Sequence, residues 1–221
     1  MGKIEKTSES IGIIGGSDGP TSVIFIGGKQ KKTIKQKIQK YFHEQKKKRA
    51  KRRIKPGAHT MEEVVQLICD TYGFTELPKE SEEYIERYHE MRLSSMIQHA
   101  PELLGELAEI PEIKSRDEEG FREYQKQWEL RKQREREISE EAFDIDLHLL
   151  KKKENEWQMH FEIETQFGHI SGGFSGPGRG GSRKFEKFFK EVYLYYGVTE
   201  EDIAENTRRY KELVRVLAMR H

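Results

Sequence analysis

The stretch "FDIDLHLLKKKENEWQMHFEIE", Phe143–Glu164, decides the fold. Phe143, Ile145, Leu147 and Leu149 alternate with Asp144, Asp146 and His148. After "KKKEN", Trp157, Met159, Phe161 and Ile163 alternate with Gln158, His160, Glu162 and Glu164. A period of two sends successive side chains to opposite faces of a strand. Two such runs around a charged turn predict an antiparallel hairpin with one buried face and one polar face. "FGHISGGFSG", residues 167–176, predicts a third strand weakened by glycine.

Outward from this meander the period changes to that of helices. On the N-terminal side, "DEEGFREYQKQWELRKQREREISEE" puts Phe121, Tyr124, Trp128 and Arg131 on one side of a highly charged helix. Ser81 opens a helix bearing Tyr84, Ile85, Tyr88, Met91 and Met96, which Pro101 interrupts. Thr60-x-x-Glu63 is a capping box, with Val64, Val65, Ile68 and Cys69 as the apolar stripe and Gly73 as the C-cap. On the C-terminal side, Phe185, Phe188, Phe189, Val192 and Tyr196 share a helical face. Thr199 caps a last helix carrying Ile203, Tyr210, Leu213, Val214 and Leu217. Near the start, Ile11–Ile14 and Ser22–Ile26 flank "GGSDGP" and predict a short N-terminal hairpin with a loose turn. The expected architecture is α+β: this hairpin, the C-terminal antiparallel β-meander, five to six helices and no transmembrane helix.

The expected organisation is an N-terminal hairpin segment (1–28), a basic helix and linker (29–57), a helical part (58–110) and a C-terminal part (111–221). Residues 58–221 with 10–28 form one globular domain. No window reaches the ~18–20 consecutive apolar residues of a membrane-spanning helix. One cysteine, Cys69, excludes an internal disulfide and fits a reducing cytoplasm. Its apolar helix face marks it as core rather than nucleophile.

Charge is unevenly spread. The chain has 40 Lys/Arg against 39 Asp/Glu, yet residues 29–55 hold fourteen Lys/Arg and a single acid, Glu44. That leaves +13 in one segment and −12 in the rest, which invites an anionic partner, self-association or a protein partner. Ile34, Ile38, Tyr41 and Phe42 mark a helical face there, followed by "KKKRAKRR". The candidates for anion contact are Lys35, Lys46, Lys47, Lys48, Arg49, Lys51, Arg52 and Arg53. Nucleic-acid phosphates attract such a run, without sequence preference since no base-reading motif is present. An anionic membrane surface would engage it too, through the apolar face. The third alternative is a solvated helix paired with the acidic remainder of the chain.

Two weaker patterns complete the candidates. "GGFSGPGRGGSRK" lacks the Lys and Ser/Thr of a phosphate loop, but Arg179, Ser182 and Arg183 could hold an anion where a helix begins. Otherwise it is a flexible connection. Asp144, Asp146, His148, His160 and Glu162 on the polar hairpin face have the donor types for a divalent metal. An open polar sheet face gives the same pattern. No complete catalytic constellation is legible, which favours a binding or accessory protein over an enzyme.

One segment resembles a known family. Gly15-Gly16-Ser17-Asp18-Gly19-Pro20-Thr21, preceded by Ile11–Ile14 and followed by Phe25, is similar to the "GGADGPT" segment of the β subunits of sodium-translocating decarboxylases, the oxaloacetate, methylmalonyl-CoA and glutaconyl-CoA pumps. Ser17 stands where that family has Ala. The resemblance covers residues 11–27, and the family's apolar spans are absent. It implies Na⁺ as the ion, Asp18 as its ligand with Ser17, Gly19 and Thr21 around it, and a soluble component or relic of a decarboxylase system. Read from the residues alone, Asp18 caps backbone N–H groups of a structural loop or helps to bind a small ligand. The opening and the "GAHTMEEV" run, residues 57–64, also resemble small proteins of anaerobic bacteria with no established activity.

Overall fold

The computed structural model describes residues 11–13, 34–111, 118–177 and 179–219. In chain order these form β1 (Ile11–Ile13), α1 (Ile34–Arg53), β2 (Gly57–Ala58), α2 (Met61–Tyr72), β3 (Thr75–Glu76) and α3 (Glu82–His99). Two 3₁₀ turns follow, Pro101–Leu103 and Gly105–Ala108. Then come α4 (Glu118–Glu137), β4 (Leu147–Glu154), β5 (Trp157–Glu164), β6 (His169–Ser175), α5 (Arg179–Tyr196), β7 (Gly197–Val198), α6 (Glu200–Glu205) and α7 (Arg208–Leu217). The protein is α+β with antiparallel sheets, and no described helix is long and apolar enough to cross a membrane. The turn and second strand of the expected N-terminal hairpin lie outside the described residues. β1, its first strand, pairs with β6, Ile11 opposite Phe174.

Helix ends follow the local code. Thr60 and Glu63 form both bonds of the capping box, and Gly73 closes α2 in the left-handed region at φ 66°. Ser81 caps α3. The described residues hold seven helices instead of five or six, because the expected last helix is two. Asn206 adopts φ 53°, ending α6, and Thr207 caps α7 anew. Residues 179–184 are also helical where a flexible connection is one expectation. Gly180 sits against Trp157, whose ring would lie 3.2 Å from any added Cβ. Here glycine serves close approach rather than mobility.

The main sheet has the order β1-β6-β5-β4-β3. Its register corrects the expected hairpin. β4 runs through the lysines to Glu154, which pairs directly with Trp157, leaving a two-residue turn with Asn155 at φ 55°. Odd-numbered residues of β4 therefore face even-numbered residues of β5, as Leu147 faces Glu164 and Leu149 faces Glu162. A one-residue change of parity sends a strand's side chains to the other face. The apolar sets of the two strands thus lie on opposite faces, and both faces are covered.

On one face Leu150, Met159, Phe161 and Ile163 join Val64, Ile68, Phe185, Phe189 and Val192 from α2 and α5. The Phe161 ring lies 5.2, 5.4 and 5.9 Å from those of Phe74, Phe185 and Phe189. Gly172, opposite Phe161, leaves room for Phe185, whose Cζ would be 2.9 Å from an added Cβ. On the other face Ile145, Leu147 and Leu149 pack with Tyr84 of α3, whose hydroxyl donates to the Leu147 carbonyl at 2.8 Å.

A third cluster, around Leu93, Met96 and Leu104, ties α4 to α3. Beside it Arg92 and Glu135 are buried together, with 2.5 Å between Nη1 and Oε1. Arg92 also donates to the carbonyls of Glu135, Ile138, Ser139 and Phe143 at 2.8–3.0 Å. The guanidinium thus binds carbonyls at the end of α4 and in the segment that follows it.

Candidate polyanion interface

α1 is helical because Lys, Arg and Gln lose little freedom in a helix and only Glu44 interrupts the basic run. Pro56, three residues past its end, blocks continuation. His43, Lys47, Ala50 and Ile54 recur at helical spacing and form its inward stripe. Ala50 is buried, Ile54 packs on the core, and the Lys51 ammonium lies 5.8 Å from the centre of the Tyr210 ring of α7. The helix therefore packs on α7 by a narrow contact and turns the rest of its surface outward.

Lys46, Lys48, Arg49, Lys51, Arg52 and Arg53 are all exposed. Among the described residues only Lys47 has an acidic partner, Glu44 at 3.5 Å; no described carboxylate lies within ion-pair distance of the other six. Lys35 lies in the first turn of the same helix. Ile38, Tyr41 and Phe42 are 50%, 61% and 56% exposed, so the apolar face of the first half has no described cover.

A groove of about 460 Å³ runs between α1 and α7. Lys47, Lys48 and Lys51 line one wall, Lys211 and Arg215 the other. Two acids also line it, Glu44 and Glu212. Glu212 is buried and accepts from Arg208 Nε at 3.0 Å, and Glu44 meets Lys47. The groove is thus a cationic trough. Beside it, burial pulls the Lys190 ammonium of α5 below its ordinary range; Glu186 opposes this and Lys46 adds to it.

The other expected sites fare differently. Ser17, Asp18, Gly19 and Thr21 lie outside the described residues. Arg179, Ser182 and Arg183 fall within α5 rather than in a loop before it. Ser182 is half-buried and Arg183 exposed, and successive residues on a helix face different ways. Lys184, next to them, is taken by both carboxylate oxygens of Glu154 at 2.5 and 2.6 Å.

The five hairpin residues with metal-ligand chemistry do not converge, because the register splits them. His160 and Glu162 face α3, whereas His148 pairs with Ile163 on the opposite face. His148 Nδ1 meets Glu76 at 2.7 Å, and Asp146 lies 3.6 Å from Lys79. Against burial, the Thr165 hydroxyl, His148 and Lys79 hold the Asp146 carboxyl below its ordinary range. Asp144, ahead of the strand, accepts from the Tyr88 hydroxyl at 2.6 Å. Among the described residues no group of three or more His, Cys, Asp or Glu is placed to hold a metal ion.

His160 and Glu162 instead line a groove of about 360 Å³ between α3 and the sheet. Several of its charges are paired, although Lys152 and Lys153, which also line it, have no described carboxylate within ion-pair distance. Arg87 lies 2.7 Å from Glu90 and 3.6 Å from Glu162, Lys151 pairs with Glu83, and Ser171 donates to Glu162 at 3.0 Å. Burial keeps the His160 imidazole below its ordinary range, opposed by Glu162. Cys69 packs beside the core, and burial raises its thiol, so the more reactive thiolate is disfavoured.

The sequence reading missed Lys211 and Arg215. Their i, i+4 spacing on the polar side of α7 was visible, but nothing local said that α1 would lie across from them. The chain matches no protein-family model, no curated protein and no solved structure.

Proposed function

We propose that the chain is a binding or accessory protein that engages a polyanionic partner through α1. The observation that carries this reading is the outward row of Lys46, Lys48, Arg49, Lys51, Arg52 and Arg53 with no described carboxylate in reach. A helix kept only as a solvated partner of the acidic remainder would have its charges matched, as those of Arg87 and Lys151 between α3 and the sheet are. Mutual repulsion within such a row is relieved when phosphates or other anions replace bulk counterions.

The test is retention on immobilised heparin. A variant with Lys48, Arg49, Arg52 and Arg53 changed to Gln keeps residues of similar helix propensity at exposed positions. Wild type is expected to elute at clearly higher salt than the variant, with equal far-UV circular dichroism. Co-elution of the two at the same salt would overturn the reading.

A further inference from the structure

The identity of the polyanion follows from how charge is arranged around α1 and across from it. At 3.6 residues per turn, Lys51, Lys48, Arg52, Arg49, Arg53 and Lys46 spread over about 220° of the helix circumference. The remaining arc holds Ala50, Ile54 and Lys47 against α7 and the core. A helix that lies in a membrane interface puts apolar groups at the middle of its outward face and cations at the flanks. Here the middle of the outward face, from Lys46 onward, is Arg49 and Arg52. The apolar groups Ile38, Tyr41 and Phe42 are confined to the N-terminal half. The segregation runs along the helix, not around it.

Cations on both flanks suit a channel with phosphates on both sides. The major groove of a B-form duplex is about 12 Å wide, close to the helix diameter of about 10–12 Å with side chains. The α1–α7 groove extends one flank. Lys48 and Lys51 face Lys211 and Arg215 across it, and none of the four has a described carboxylate within ion-pair distance. Two helices thus hold four like charges around one trough, an arrangement that a row of phosphates would stabilise.

We propose that α1 lies in the major groove of double-stranded DNA, and that Lys211 and Arg215 of α7, with Lys48 and Lys51 of α1, hold the phosphates of one strand along the α1–α7 trough. This rests on the polyanion reading of α1. The flanking cations contact phosphates, which carry no sequence information, while Arg49 and Arg52 at the middle of the outward face lie over the groove floor. The A-form major groove is deep and narrow, so duplex RNA is the poorer ligand.

The experiment measures fluorescence anisotropy of a labelled mixed-sequence DNA duplex with the full chain, between about 50 and 200 mM salt, where phosphate contacts dominate the response. Each phosphate contact contributes about 0.9 to the slope of log K against log salt. Lys211→Gln with Arg215→Gln is expected to flatten the slope by about 2 and Lys211→Gln alone by about 1. Lys187→Gln, an exposed cation of α5 paired with Glu191, leaves it unchanged. Unchanged slopes in both α7 variants would overturn the proposal. So would tighter binding to single-stranded DNA or duplex RNA, or binding to phosphatidylglycerol vesicles without binding to the duplex. In those cases late elution of wild type from heparin still supports the polyanion reading. Co-elution of wild type and the α1 variant removes that reading itself.

Discussion

The β4–β6 sheet and α1 are opposite answers to the same composition. With 34% hydrophobic and 36% charged residues, the chain has little apolar material to spare. The sheet concentrates it. Leu147, Leu149, Leu150, Met159, Phe161, Ile163 and Ile170 are essentially inaccessible, and helices cover both faces. α1 holds ten Lys/Arg in 20 residues, buries Ala50 and leaves three large apolar side chains in the open. Beside the sheet Arg87 and Lys151 have carboxylate partners, while six exposed cations of α1 have none among the described residues. One region is arranged for stability, and the other carries charge that stability does not require.

That contrast can be broken at graded points. Phe161→Ala opens a cavity among three aromatic rings and is expected to cost about 4 kcal/mol in urea unfolding. A loss under about 1 kcal/mol would show that the sheet does not bear the fold. Glu135→Ala strands the buried Arg92 guanidinium and is expected to cost about 3 kcal/mol. Thermal melts that match wild type would refute the clamp. Thr60→Ala removes one capping bond of α2 and should cost about 1 kcal/mol.

A fourth prediction concerns pH. Burial, with Arg208 and Arg215 nearby, lowers the His169 imidazole to about 4 from an ordinary value of 6.5. The unfolded chain then binds a proton that the folded chain refuses. Stability from this group is present above about pH 6.5 and is lost as the pH falls toward 4. His99 and His160 are lowered too, and act in the same direction. His169→Asn should flatten the dependence of unfolding free energy on pH across that window; an unaltered slope would count against it. The smallest effect is expected on α1. Arg49→Gln with Arg52→Gln should change stability by no more than about 0.5 kcal/mol. A larger loss would show that these cations serve the fold.

Much of the fold was legible because helix caps and periods are local. Thr60-x-x-Glu63, Gly73 and Ser81 end their helices where sequence puts them, since each cap needs only neighbours within three or four residues. The break at Asn206–Thr207 was not legible, because an apolar stripe continues across it. Of the candidate interface, sequence supplied one wall. Lys46 to Arg53 stood out as a run, but Lys211 and Arg215 joined them only when α7 packed on α1.

By itself the sequence determined the presence of the meander strands β4, β5 and β6, most of the helices and the segregation of charge into residues 29–55. Tertiary structure decided the parity of the hairpin. A turn of two residues instead of five sends Leu147 and Phe161 to opposite faces, splits His148 from His160, and needs a helix on each side. It also decided which cations stay unpaired. Periodicity reports the face of an element, but what meets that face depends on residues far away in the chain.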